Sequence, residues 1–281
     1  MGRRNKERVI LENVEIQSVA AEGKALARVD NMVVFMPYGA PGDIVDVQIL
    51  KKRKQHAEGR IVRYVKYSDE RCQPFCEHFG VCGGCQWQHL PYEAQLRHKQ
   101  QQVLDNLKHI AKVELPECRP ILGSENIKHY RNKLEFTFSD KPWRTAEEMA
   151  SEVDFATLDQ HALGFHIPGM FDKVLDIKHC YLQETFSDDL RLFIRRFCVE
   201  HDYEFFNLRQ QEGLMRNMIV RTASTGEKML IVVFYRDEKE KIQALMQAQF
   251  WHTERCLRQQ KVNTQVLLLV ISCFMQYRVP F

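Results

Sequence analysis

The chain has 281 residues, 44% of them hydrophobic and 27% charged, which is enough apolar content to bury a real core across roughly two domains. Its 40 basic and 37 acidic residues leave a formal net charge of +3, so bulk charge neither demands nor excludes a nucleic-acid partner. The charged start Met1-Gly2-Arg3-Arg4-Asn5-Lys6-Glu7-Arg8 lacks the apolar stretch of a signal peptide, and the longest apolar run, 266–275, falls far short of the ~20 residues of a membrane span. A soluble, cytoplasmic protein without membrane contact is expected.

Residues 8–66 read as five short strands at 9–11, 25–29, 32–36, 44–49 and 59–65. In 44–49, Val45, Val47 and Ile49 alternate with Asp46 and Gln48, as in a half-buried strand. The turn Ala40-Pro41-Gly42-Asp43 separates two of these strands. Five strands in so short a stretch suit an OB-like barrel, a frequent platform for RNA. Lys51-Lys52-Arg53-Lys54, with Arg60, Arg63 and Lys66, forms a local basic block, for which a solvated strand edge guarded by lysines is the alternative.

A cysteine loop over 68–90 precedes a helix predicted at 91–110. Pro91 suits its first turn, and Leu96, Val103, Leu107 and Ile110 recur on one face. At 133–139, Leu134, Phe136 and Phe138 alternate with Lys133, Glu135 and Thr137, which predicts a strand. The polar insertion 140–160 reads as a loop or short helix. Strands follow at 163–166, 174–177, 218–222 and 229–235, and helices at 187–200 and 237–249, an α+β pattern.

Nine cysteines in a reducing compartment are poorly explained by disulfides. Cys118, Cys198, Cys256 and Cys273 are scattered and suit small buried hydrophobes. Cys76-x5-Cys82-x2-Cys85 is different, because clustered thiols on a glycine-bearing loop suit a metal ion or an iron–sulfur cluster. A fourth ligand must come from elsewhere, and Cys180 in Val174-Leu175-Asp176-Ile177-Lys178-His179-Cys180 follows a predicted strand. A four-cysteine zinc site competes with this reading. The radical-SAM spacing is absent, since Cys72-x3-Cys76 is followed by five residues rather than two, and no strand–helix context supports a thioredoxin-like Cys82/Cys85 pair. Cys72 reads as a spare thiol near the site.

The sequence resembles the bacterial 23S ribosomal RNA uracil-C5 methyltransferases that carry a TRAM barrel and an iron–sulfur cluster. The resemblance rests on Val34-Phe35-Met36-Pro37 with Ala40-Pro41-Gly42-Asp43, and on Cys76 with Phe79-Gly80-Val81-Cys82-Gly83-Gly84-Cys85-Gln86-Trp87-Gln88-His89-Leu90. It continues in Tyr92, Gln95, Leu96 and Lys99, then Tyr130-Arg131-Asn132-Lys133-Leu134-Glu135-Phe136, Leu163-Gly164-Phe165-His166, and Leu214-Met215-Arg216-Asn217-Met218-Ile219-Val220-Arg221-Thr222. It covers about residues 8–248 and implies three parts: a TRAM barrel over 1–67, a central iron–sulfur and RNA-binding domain over 68–248, and an unassigned tail over 249–281.

The resemblance implies a [4Fe–4S] cluster on Cys76, Cys82, Cys85 and Cys180, ordering the RNA-binding portion of a monomer. The implied reaction turns a uracil out of folded ribosomal RNA and adds a cysteine thiolate at C6. Methyl transfer from S-adenosylmethionine to C5 follows, and a carboxylate removes the C5 proton. Strand-borne cations beside aromatic residues suit phosphate contacts, which singles out Arg131 and Lys133, supported by Lys51, Lys52, Arg53, Lys54 and Arg216. Trp87 suits packing or base stacking.

After Gly226 the sequence has no glycine, and after Pro168 no proline before Pro280, so the glycine-rich S-adenosylmethionine loop and the proline-rich nucleophile turn have no counterpart in it. The expectation is therefore that the Rossmann-like methyltransferase domain is absent, that no catalytic or S-adenosylmethionine-binding residue lies in this chain, and that it does not methylate RNA alone. A stand-alone iron–sulfur or zinc RNA-binding module is the alternative function.

Overall fold

Alternating side chains at 10–66 build a curled sheet because small inward residues let the strands approach one another. The computed structural model describes residues 9–150, 153–154, 157–260 and 266–272; the charged start 1–8 and parts 261–265 and 273–281 of the expected tail lie outside the described residues. The chain divides into two compact units, one of residues 1–80 and 84–125, the other of 81–83 and 126–281.

In the first unit, β1 (Ile10–Glu15), β2 (Ser18–Val19), β3 (Ala25–Val29), β4 (Met32–Met36), β5 (Ile44–Lys52) and β6 (His56–Lys66) form one sheet. Its order is β1-β5-β6-β4-β3-β2. Only β4 and β6 run parallel, with Val34 opposite Ala57. Val14, Ile16, Ala25, Ala27, Val34, Met36, Val45, Val47 and Ala57 form the core. Gly59 belongs to this tight interior, since a Cβ there would stand 2.5 Å from Val47 Cγ1. The sheet has six strands rather than the five expected. Ser18–Val19 was missed because two residues are too short to show a period, and only pairing with Leu26 and Ala25 makes them a strand.

Helix α1 (Tyr92–Asp105) starts after Pro91, and a π turn at Asn106–Ala111 continues it. Ala94 is its buried residue. Val103 and Ile110 stay exposed, so the apolar stripe expected to face inward outruns what the first unit covers.

The second unit holds β7 (Lys133–Ser139), α2 (Ala146–Ala150), β8 (Ala162–Ile167), β9 (Met170–Asp176), α3 (Thr185–Glu200), β10 (Met215–Thr222), β11 (Lys228–Phe234), α4 (Lys239–Gln260) and β12 (Val266–Ser272). Its sheet order is β12-β11-β10-β7-β8-β9. One face carries the buried Leu134, Phe136, Phe138, Leu163, Met218, Val220, Val232 and Phe234. Phe186, Leu190, Ile194 and Cys198 are the buried side of α3. Each fully buried Phe contributes ~1.5–3 kcal/mol. Gly164 has no room for a side chain, as a Cβ would lie 2.0 Å from Leu175 O. The helix expected to stop at 249 continues to Gln260, and β12 then pairs parallel to β11 with Leu268 opposite Leu230. Among the described residues no helix is long and apolar enough to cross a membrane.

Candidate cysteine loop and nucleic-acid interface

In the first unit the loop after β6 is clasped to the barrel by Asp43, whose carboxylate is fully buried. Its oxygens accept hydrogen bonds from Ala40 N (2.7 Å), Ser68 N (2.9 Å), Arg71 Nε (2.8 Å) and an Arg71 terminal nitrogen (2.7 Å). The Arg71 guanidinium also lies 4.9 Å and 5.3 Å from the ring centres of Tyr64 and Tyr67. Downstream, Cys72 N donates to His89 O (3.0 Å) and Cys76 N to Gln88 Oε1 (3.2 Å), which closes the cysteine loop at its base. Gly80, at φ 86°, supplies a turn that L residues rarely adopt.

Trp87 anchors this loop rather than standing out from it. Its Nε1 donates to Gly23 O at 3.0 Å, and it packs against Ala40, Leu90 and Ala94. Of the two roles weighed for this ring, the geometry is that of packing. His89 is buried, with Nε2 3.2 Å from Gly39 O and no partner for Nδ1 among the described residues. Burial pushes its pKa below the ordinary 6.5, against the Gly39 hydrogen bond.

Cys76 and Cys85 belong to the first unit, Cys82 and Cys180 to the second. Gly83, at φ 70°, sits so close to the β8–β9 turn that a Cβ would meet Pro168 Cγ at 2.3 Å. Cys180 lies in the loop between β9 and α3. Its backbone N–H donates to Asp188 Oδ2 at 3.1 Å, and His179 Nδ1 lies 2.5 Å from the same oxygen. Arg191 is fully buried and donates to Lys178 O at 2.9 Å and to Asp188 Oδ1 at 3.3 Å, while its Nε has no partner among the described residues. Burial pushes its pKa down against the pull of Asp188, Asp176 and Cys180. Sequence reasoning missed this cation; the Asp188/Arg191 spacing of three on a helix was its only signal.

Cys72 is exposed, with Sγ 3.4 Å from Gln88 O. No disulfide engages Cys72, Cys76, Cys82, Cys85, Cys118, Cys180 or Cys198. The all-thiol donor set therefore fits a soft metal or a cluster in its chemistry. As an arrangement, no group of three or more His, Cys, Asp or Glu side chains suited to a metal ion occurs among the described residues.

The expected RNA contacts occupy distinct places. Lys51, Lys52, Arg53 and Lys54 are exposed at the tip of the β5–β6 hairpin, closed by Arg53 N donating to His56 O at 2.8 Å. Arg131 and Lys133 are exposed where β7 begins. The Arg216 guanidinium lies 4.9 Å from the Phe206 ring centre and 6.0 Å from that of Tyr235.

Residues 8–62 match the TRAM domain family. The chain is 55% identical over 238 residues to an uncharacterized RNA methyltransferase of Porphyromonas gingivalis, covering 84% of this chain and 51% of that protein. It is 54% identical to an uncharacterized RNA methyltransferase of Bacteroides thetaiotaomicron, over 76% of this chain and 47% of the relative. A third, from Chlorobaculum tepidum, is 38% identical over 80% and 46%. The chain spans about half the length of these relatives. In fold it is similar to the crystal structure of Pyrococcus abyssi tRNA (uracil-54, C5)-methyltransferase in complex with S-adenosyl-L-homocysteine. The TM-score is 0.53 at 21% identity, over 81% of this chain and 46% of that one.

The chain thus carries a TRAM match in residues 8–62 and is similar to RNA methyltransferases over about half of their length. This corrects the expected fold class. A description as barrel plus α+β domain with the methyltransferase part absent does not hold, because 81% of the chain shares its fold with a methyltransferase. The expectation came from glycine and proline motifs missing after Gly226, and motifs report on individual loops rather than on the fold.

Proposed function

We propose that this chain recognises RNA for S-adenosylmethionine-dependent methylation of uracil C5, with 23S ribosomal RNA as the substrate. The observation that carries the reading is the fold likeness to a uracil-C5 methyltransferase over 81% of the chain. Relatives described as RNA methyltransferases and the TRAM match support it. S-adenosylmethionine supplies the methyl group when bound. The residues of this chain grip RNA: the hairpin tip Lys51, Lys52, Arg53 and Lys54 contacts phosphates, as do Arg131 and Lys133. Arg216, held near the Phe206 and Tyr235 rings, presents a planar cation to a base or phosphate. Mass spectrometry of 23S RNA from cells lacking the gene tests the reading. Loss of one C5-methyluridine is the expected result. An unchanged 23S RNA with a C5-methyluridine lost from transfer RNA would overturn the substrate, and no loss anywhere would overturn the activity.

Cys76, Cys82, Cys85 and Cys180 would hold a [4Fe–4S] cluster, which supplies structural order when bound. Support comes from the loop spacing, the glycine turns at Gly80 and Gly83, and the buried Arg191 cation that favours an anionic sulfur at Cys180. Anaerobic purification is expected to give brown protein with about four irons per chain. Colourless protein containing zinc would overturn the cluster.

A further inference from the structure

The register of the second sheet sets two cations against each other. Arg221 of β10 is the Cα partner of Lys133 of β7. Their neighbours Val220 and Leu134 are buried, so Arg221 and Lys133 share the opposite, outer face, and both are exposed. Directly opposed side chains begin with Cβ atoms about 4.5–5.5 Å apart, where like charges repel. Neither cation makes an ion pair within 4.0 Å among the described residues. The carboxylate that follows on the same face, Glu135, instead accepts a hydrogen bond from Asn217 Nδ2 at 3.4 Å. The repulsion is held in place because Thr222 N donates to Asn132 O at 2.9 Å, which carries the β7–β10 pairing to the strand end. Two positions before Lys133, exposed Arg131 is fixed by its N–H donating to Leu182 O at 2.9 Å.

We propose that Lys133 and Arg221, flanked by Arg131, form a phosphate clamp for the RNA backbone. The clamp rests on the RNA-binding reading above and adds to it a residue, Arg221, that forms the site only by register. An anion between the two cations turns a destabilising pair into a binding site, and the exposed side chains of both residues leave that face open to a phosphate.

The test is fluorescence anisotropy with a labelled ribosomal RNA hairpin across a salt series, together with thermal denaturation of the free protein. Arg221→Gln and Lys133→Gln should each weaken RNA binding several-fold and lower the salt slope by about 1. Arg221→Lys should recover most of the loss. The Tm of unliganded Arg221→Gln should equal or exceed that of the wild type, whereas a packing role would lower it. Wild-type affinity and salt slope in the Gln variants would overturn the clamp and leave the RNA reading standing. If the wild type binds no RNA, the RNA reading falls. Inorganic phosphate then decides the anion site: a larger Tm increase in the wild type than in the double variant supports it, and equal increases overturn it.

Discussion

Each unit sets an arginine against a buried aspartate, and the two pairs are built differently. Arg71 meets both oxygens of Asp43 and donates again to Tyr38 O at 2.8 Å. Burial pulls the guanidinium down, but the Asp43 hydrogen bonds and charge more than offset it, so its pKa is raised. Arg191 is more deeply buried yet touches Asp188 only at 3.3 Å, because that carboxylate also serves His179 and the Cys180 N–H. Its pKa is lowered, and its Nε is unpartnered among the described residues. A saturated pair is a clasp that holds a loop to a barrel. An undersaturated one keeps a buried cation beside a cysteine, and such placement suits tuning a sulfur better than holding a fold.

The contrast makes the clasp the more sensitive of the two. Asp43→Ala strands Arg71 and frees the Ala40 and Ser68 N–H groups, so urea denaturation should show a loss of ~3–5 kcal/mol. Arg191→Met should cost only about 1–2 kcal/mol, since Asp188 keeps its other partners. Equal losses in the two variants would erase the distinction. The same Arg191→Met protein should hold less iron after anaerobic purification, measured per chain, if the cation serves Cys180.

Smaller effects sharpen the picture of the loop that the clasp secures. Trp87→Phe removes one hydrogen bond to Gly23 O and keeps the ring, for a loss of ~1 kcal/mol in the same assay. His89 should set a modest pH dependence. Its folded pKa lies below 6.5, so the folded state favours the neutral ring and the unfolded chain takes up a proton first. Stability is therefore fully present above pH 6.5 and falls as pH drops through 6.5 toward the depressed folded value. Arg71 and Asp43 are the charged groups facing this ring, with opposite effects on it. His89→Gln should flatten that part of the profile, and an unchanged profile would assign the acid sensitivity elsewhere.

By itself the sequence determined what repeats over a few residues. Short strand-like runs between turns at 25–29 and 32–36, and alternation at 133–139, placed β3, β4 and β7. The glycine and proline pattern after Gly226 misled about the fold class, because it describes loops while the fold is set by the order and packing of strands. Tertiary structure alone decided what depends on distant partners. Ser18–Val19 is a strand only beside β3, Trp87 is an anchor only because Gly23 O stands near, and Arg191 is a buried cation only once α3 closes on its sheet. Arg221 faces Lys133 although 88 positions separate them (221 − 133), since antiparallel register pairs residues that no local pattern connects.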